Sequence, residues 1–255
     1  MPGFASYPSL RDRVVFVSGG GSGIGASIVE HFAAEGARVG FVDIDEAASK
    51  ALVAKIAASG HPAPAFARCD VRDIAAYQAA IAGMAGRLGP VTVLINNAAR
   101  DDRHTLEEVT PAYWDERIAV NLRHQFFAIQ AIAPGMKQAG GGSIVNFSSV
   151  SYHTMTADLA VYQAAKAAVI GLTRGLARDL GPDRIRLNAI TPGWIMTQRQ
   201  IDLWLTPEAE AGLMQAQCLK EKLHPPDIAR MALWLGADDS RLVTAQNFVV
   251  DGGRM

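Results

Sequence analysis

Val14-Val15-Phe16-Val17-Ser18-Gly19-Gly20-Gly21-Ser22-Gly23-Ile24-Gly25 runs an apolar stretch straight into a glycine turn, and a helix-like segment follows. A buried strand, a glycine turn and a helix N-terminus together make a site for a negatively charged group. The first backbone N–H groups of the helix point outward, the helix dipole adds positive potential, and missing Cβ atoms let a phosphate come close. The bland alternative is an ordinary tight turn between strand and helix. No Gly-Lys-Ser/Thr follows, which argues against a P-loop, so Gly19, Ser22, Gly23, Ile24 and Gly25 point to a dinucleotide pyrophosphate.

A second strand-like run, Arg38 to Val42, ends in Asp43, with Ile44 beside it. A carboxylate there accepts hydrogen bonds from an adenosine ribose and repels a 2′-phosphate. Ser22, where a cation would welcome that phosphate, is neutral. The expectation is NAD, with NADP left open. Asp43 is equally placed to cap a helix starting near Glu46.

Further strand-like runs are Ala65–Ala67, Val91–Ile95, Ser143–Phe147, Arg184–Ile190 and Asn247–Val250, with helical candidates near 24–35, 46–58, 73–88, 112–138, 158–180 and 226–236. Continuously apolar strands imply burial on both faces, hence a parallel sheet covered by helices. Right-handed crossovers then give a Rossmann-type doubly wound sheet of seven strands in one domain over 1–255, with ligands above the C-terminal strand ends. Residues 193–225 read as the least regular stretch and as a lid over that edge.

Composition narrows the class. At 255 residues the chain suits one α/β domain, and a net charge of −1 offers no footprint for nucleic acid or an anionic membrane. No apolar run approaches the roughly 20 residues of a membrane span. The first residues lack the pattern of a signal peptide, and two cysteines are too few for a disulfide framework, so a cytoplasmic protein is expected. The six histidines are scattered, and no metal is expected.

Tyr162-Gln-Ala-Ala-Lys166 puts a phenol and an ammonium four apart on one helix face. A free tyrosine, with a pKa of about 10, is a poor base at neutral pH. A cation about 4 Å away would lower that value by up to about three units, so Tyr162 becomes a candidate general base. A surface pair without function is the plain alternative. Ser148-Ser149 ends a strand at the same edge, where a hydroxyl would orient the reacting oxygen. Asn96-Asn97-Ala98-Ala99 ends another, with small residues that let a cofactor close in. Asn121, a poor helix former inside a helical stretch, could bridge Lys166 to water.

Taken together, Ser18-Gly19-x-x-x-Gly23-Ile24-Gly25, Asp70-Val71, Asn96-Asn97-Ala98, Asn121, Ser149, Tyr162-x-x-x-Lys166 and Pro192-Gly193-x-Ile195-x-Thr197 resemble the short-chain dehydrogenase/reductase family over about residues 10 to 253. The resemblance implies a catalytic set of Asn121, Ser149, Tyr162 and Lys166. It also implies cofactor contacts at Asp70, Val71, Asn97 and Ala98 and from Pro192 through Gly193 and Ile195 to Thr197, with Tyr162 and Lys166 near the nicotinamide end, and a homotetramer. Ser18 and Ala99 depart from the family's usual Thr and Gly.

Within the family, Asp101-Asp102-Arg103-His104, Tyr113-Trp114-Asp115-Glu116-Arg117, Asn121-Leu122-Arg123-His124 and Gln217-Cys218-Leu219-Lys220 are similar to bacterial sugar dehydrogenases that oxidise pentoses at C1. The charged words among them also read as salt-bridged helix ends. Arg100, Ser149, Ser151, His153, Tyr162, Gln163, Trp194 and Arg199 would line a polar sugar pocket. The expected reaction is oxidation of an aldose such as D-xylose, L-arabinose or L-fucose to its aldonolactone, with hydride passing to the nicotinamide. The alternatives are a ketoacyl, keto-sugar-acid or steroid substrate, or a non-enzymatic NAD-binding protein.

Overall fold

The computed structural model describes residues 3–255. Seven strands form one sheet: β1 (Val14–Ser18), β2 (Arg38–Asp43), β3 (Ala65–Arg68), β4 (Val93–Asn96), β5 (Gly142–Phe147), β6 (Ile185–Pro192) and β7 (Asn247–Val250). Their order is β3-β2-β1-β4-β5-β6-β7 and every pairing is parallel. The chain reverses direction across the sheet between β1 and β4, which opens a crevice at their C-terminal ends.

Helices cover both faces. The core on one side packs β1, β2 and β4 against α1 (Gly23–Ala34) and α9 (Pro225–Gly236), with Phe32, Ile28 and Leu235 fully buried. The core on the other side packs the same sheet against α3 (Ile74–Leu88), α5 (His124–Gln138) and α6 (Ala160–Leu180). β1 and β4 are buried along their whole length, as their unbroken apolar runs require. α2 (Glu46–Ala58) follows β2, and Asp45, not Asp43, caps it by accepting from the Ala48 N–H at 3.0 Å.

Three expected elements differ. The stretch 112–138 is not one helix: α4 (Pro111–Ile118) passes through a π-helical turn, Ala119–Arg123, into α5. Asn121 sits in that turn, where its amide grips the Arg100 backbone from both sides. The stretch 193–225 is not irregular, because α7 (Gln198–Trp204) and α8 (Pro207–Ala216) lie within it, each started by a threonine cap. The sixth strand begins after Arg184, whose φ of +58° places it in the left-handed region, and runs on to Pro192.

α6 is registered on the sheet by polar contacts in an otherwise apolar layer. Asn96 donates to Asn146 (2.9 Å), and Asn146 donates to Thr173 of α6 (3.0 Å). Ser148 donates to the Lys166 carbonyl at 2.7 Å. Each buried group is costly if left unpaired, so these bonds hold α6 in one position along β5.

Candidate active site

A cavity of about 910 Å³ runs along the C-terminal edge of the sheet, from the β2–β3 side across the glycine turn to α7. Its first end is built by the glycine turn. Gly23 has φ +54°, and a Cβ on Gly25 would lie 1.8 Å from the Gly19 carbonyl, so neither position accepts a side chain without moving the turn. Ser22 precedes α1 without capping it through its side chain, unlike Asp45 of α2, Asp73 of α3 or Thr110 of α4. The first N–H groups of α1 therefore remain available to an anion.

Two residues brace this turn. Ser18 Oγ accepts from the Asn97 and Ala98 N–H groups, both at 3.1 Å. Asn97 Nδ2 donates to the Gly19 carbonyl at 2.8 Å. Asn97 thus lines the cavity while its side-chain amide locks the turn. Asp43 accepts from Gly21 N–H (2.8 Å) and Asp45 N–H (2.9 Å), which fixes its carboxylate on the cavity wall with further acceptor sites free. Ile44, Asp70 and Val71 line the same end, and the Arg72 guanidinium bound to Asp70 holds that carboxyl below its usual range.

These features fit a nicotinamide dinucleotide: an uncapped helix start for the pyrophosphate and a fixed carboxylate for a ribose. Gly19, Ser22, Gly23, Ile24, Ala98, Pro192, Gly193, Ile195 and Thr197 all line the cavity between its two ends.

The other end holds Ser149, Tyr162 and Lys166. Lys166 is 1% exposed, and its Nζ lies 5.6 Å from the centre of the Tyr162 ring. It donates to the Phe147 carbonyl at 2.9 Å. Burial pushes the Lys166 ammonium down to about 7, with Asp101 opposing the shift. Burial pushes the Tyr162 phenol up, Asp101 adds to the rise, and Ser149 pulls it back. The expected depression of Tyr162 by Lys166 is therefore not a property of these protein groups by themselves. Their low-dielectric surroundings favour the neutral form of both.

Not every candidate reaches the cavity. Asn121 is fully buried behind the wall, and its amide is spent on the Arg100 N–H (2.8 Å), the Arg100 carbonyl (3.0 Å) and the Arg117 carbonyl (3.0 Å). It sets the path of the Arg100–Arg103 loop, and its side-chain hydrogen bonds run to Arg100 and Arg117. His153 is exposed and stacks on Tyr152 at 3.9 Å. Gln163 turns away to the Thr156 carbonyl at 2.5 Å. Arg100, Ser151, Trp194 and Arg199 do line the cavity, and the Ser151 hydroxyl is buried there with no partner.

Asp101 and Arg103, seen in the sequence only as part of a charged word, line the cavity, and so do Gln200, Trp204 and Arg254, which were not among the site candidates. Arg103 stacks over Trp204 at 4.7 Å, and Arg254 arrives from the far end of the chain. Asp102 is engaged by Arg100 (2.9 Å), Arg117 (2.6 Å) and Arg199 (2.8 Å). Burial alone would raise its pKa, but those guanidinium groups together hold it below the usual carboxylate range. The charged words of the sequence are largely such ion pairs.

Comparison with known proteins agrees with this geometry. A family model described as "Enoyl-(Acyl carrier protein) reductase" matches residues 19–254. The chain is 52% identical to "Probable galactose dehydrogenase GalD" of Rhizobium meliloti (strain 1021), covering 98% of this chain and 97% of that protein. It is 49% identical to "D-xylose 1-dehydrogenase" of Caulobacter vibrioides (strain NA1000 / CB15N), covering 98% of each. A solved 3-oxoacyl-[acyl-carrier protein] reductase from Brucella melitensis with bound NAD superposes with a TM-score of 0.88 at 34% identity, over 98% of this chain and 94% of that one.

Proposed function

Given that the chain belongs to the short-chain dehydrogenase/reductase family, an oxidoreductase using a nicotinamide cofactor, we propose that it oxidises an aldose at C1 to the aldonolactone with NAD. The carrying observation is the meeting of Ser149, Tyr162 and Lys166 at one end of a cavity whose other end is the uncapped glycine turn. The two sugar-dehydrogenase relatives, about half identical over nearly the full length, support the aldose. So does the polar lining, with Ser151, Trp194, Arg199 and Gln200 facing one space.

Tyr162 Oη takes the proton of the anomeric hydroxyl, and Ser149 Oγ holds the same oxygen. Lys166, seated on the Phe147 carbonyl, stays beside the phenol and carries a positive charge part of the time near neutral pH. A nicotinamide dinucleotide held by Gly19, Ser22, Gly23 and Asp43 would supply the hydride acceptor for C1 and a positive ring charge beside the phenol. General-base catalysis of this kind contributes about 10²–10⁴-fold, and positioning in the cavity supplies much of the rest. Asp43, fixed by two backbone N–H groups, favours NAD over NADP. We read α7 and α8 as the cover of the substrate end.

The homotetramer implied by the family is supported by apolar surface on α4 and α5, where Trp114 is 45% and Phe126 is 40% exposed. Cys69 and Cys218 are both free thiols, which fits the reducing cytoplasm. Incubation with NAD+ or NADP+ and a panel of pentoses and hexoses, read at the absorbance of the reduced nicotinamide, tests the assignment. Turnover of an aldose with NAD+ supports it. Turnover only of steroid or 3-oxoacyl substrates overturns it.

A further inference from the structure

We propose that Asp101 is a substrate-binding residue, its carboxylate presented to the cavity by α7 so that it accepts hydrogen bonds from sugar hydroxyls beside the reacting carbon. The inference rests on the aldose reading above and names the group that would recognise the sugar's hydroxyl pattern.

Asp101 and Asp102 are adjacent in sequence and differ in what their oxygens do. Asp102 is saturated by three guanidinium groups and serves to tie α4, α7 and the loop after β4 together. Asp101 has one short bond, from Gln200 Nε2 at 2.7 Å, and one long one, from Arg199 Nε at 3.4 Å. An ionised carboxylate offers about four acceptor sites, so at least two remain open. Its side chain is 21% exposed, and the residue lines the cavity.

The orientation is held from behind. Trp194 Nε1 donates to Gln200 Oε1 at 2.8 Å, which turns the Gln200 amide nitrogen towards Asp101. The carboxylate thus has little freedom to rotate out of the cavity, so a ligand meets it already oriented. It stands near enough to the reacting groups that its charge acts on both Tyr162 and Lys166. A carboxylate in that position suits a neighbouring pair of hydroxyls, each a donor, and an aliphatic or acyl chain leaves it unpaired inside the cavity. The sugar would enter between Asp101 and Tyr162, with α7 setting which hydroxyls meet the acceptor.

The test compares wild type, Asp101→Ala and Asp101→Asn on the best aldose and on its 2-, 3- and 4-deoxy analogues with saturating NAD+. A charged hydrogen bond predicts a loss of about tenfold or more in kcat/KM for at least one deoxy sugar with wild type. Asp101→Ala should raise KM for the parent sugar by a similar factor, leave KM for NAD+ within about twofold, and shrink the deoxy discrimination to within about threefold. If Asp101→Ala also loses NADH binding by fluorescence, Asp101→Asn, which keeps the shape, decides by the same comparison. Full discrimination retained in the readable variant, or none in wild type, overturns the proposal while the aldose reading stands. No aldose turnover by wild type overturns both.

Discussion

Lys166 reaches past Tyr162, four residues earlier on the same helix, and donates to the carbonyl of Phe147 at the end of β5. The lysine is therefore held by the sheet, and the phenol stands 5.6 Å away, measured to its ring centre, with one side on the cavity. A helix-surface pair would have neither anchor nor burial. This placement is what makes the pair a candidate for chemistry.

Replacing Tyr162 by Phe removes the proton acceptor and leaves the ring. Sugar oxidation should fall by about 10²-fold or more, the usual contribution of a general base. NADH binding, followed by fluorescence, should remain within about threefold, because the dinucleotide cradle lies mainly at the glycine turn.

The pH profile follows from the sign of the shift. Burial raises the Tyr162 pKa, and only the ionised phenol accepts a proton, so kcat/KM for oxidation should climb as pH rises through the alkaline range. Ser149 pulls that pKa down. Ser149→Ala should therefore move the rising limb to higher pH as well as lower the plateau, measured between pH ~6 and ~10.

Asp43 controls the choice of cofactor. Asp43→Ala removes the carboxylate that would repel a 2′-phosphate and also accept from a ribose. Steady-state kinetics with both cofactors should show KM for NAD+ rising and the NAD/NADP ratio of kcat/KM falling by about tenfold or more. An unchanged ratio would mean that this end of the cavity does not hold the ribose.

Gly25→Ala tests the turn. The added Cβ meets the Gly19 carbonyl and the Asn97 amide, both backed by β1 and β4. Cofactor affinity should fall by at least about tenfold in a fluorescence titration, and the thermal midpoint should drop as well.

His124 links the fold to acid. It is fully buried, one ring nitrogen bonds the Ala98 carbonyl at 3.0 Å, and the other has no partner. Burial first, then Lys166, push its pKa down to about 3. The unfolded chain protonates this histidine near pH 6.5 and the folded one does not, so stability is lost as pH falls from about 6.5 towards 3. His124→Gln should weaken that loss, which amounts to about 1.4 kcal/mol per pH unit for one proton. Urea unfolding at pH ~7 and ~4.5 measures the difference.

Much of the frame could be read locally. The strand-turn-helix at Val14–Gly25 is consistent along its length, since apolar run, glycines and helix formers all agree. Tyr162 and Lys166 are four apart, so helix periodicity alone puts them on one face. Asn121 was legible as a break in a helix, though not as the grip on Arg100, because that partner lies 21 residues away. Asp43 also read as a cap for the helix near Glu46. The helix start chose Asp45 and left Asp43 to the cavity. His153 and Gln163 failed as pocket residues because the turn at Val150–Tyr152 and the first turn of α6 direct them elsewhere.

The amino-acid order by itself determined where the seven strands and most of the helices lie, the parallel sheet with both faces covered, the anion-binding turn and the Tyr–Lys spacing. All of these are set by patterns within a few residues, where backbone geometry fixes who faces whom. Only the tertiary structure decided that Asp101 meets Gln200 across 99 positions, that Arg254 enters the cavity, and that Lys166 bonds the sheet and not the phenol. Those outcomes depend on how α6 and α7 seat against the strand ends, a matter of packing and of buried polar groups finding partners, which no local window contains.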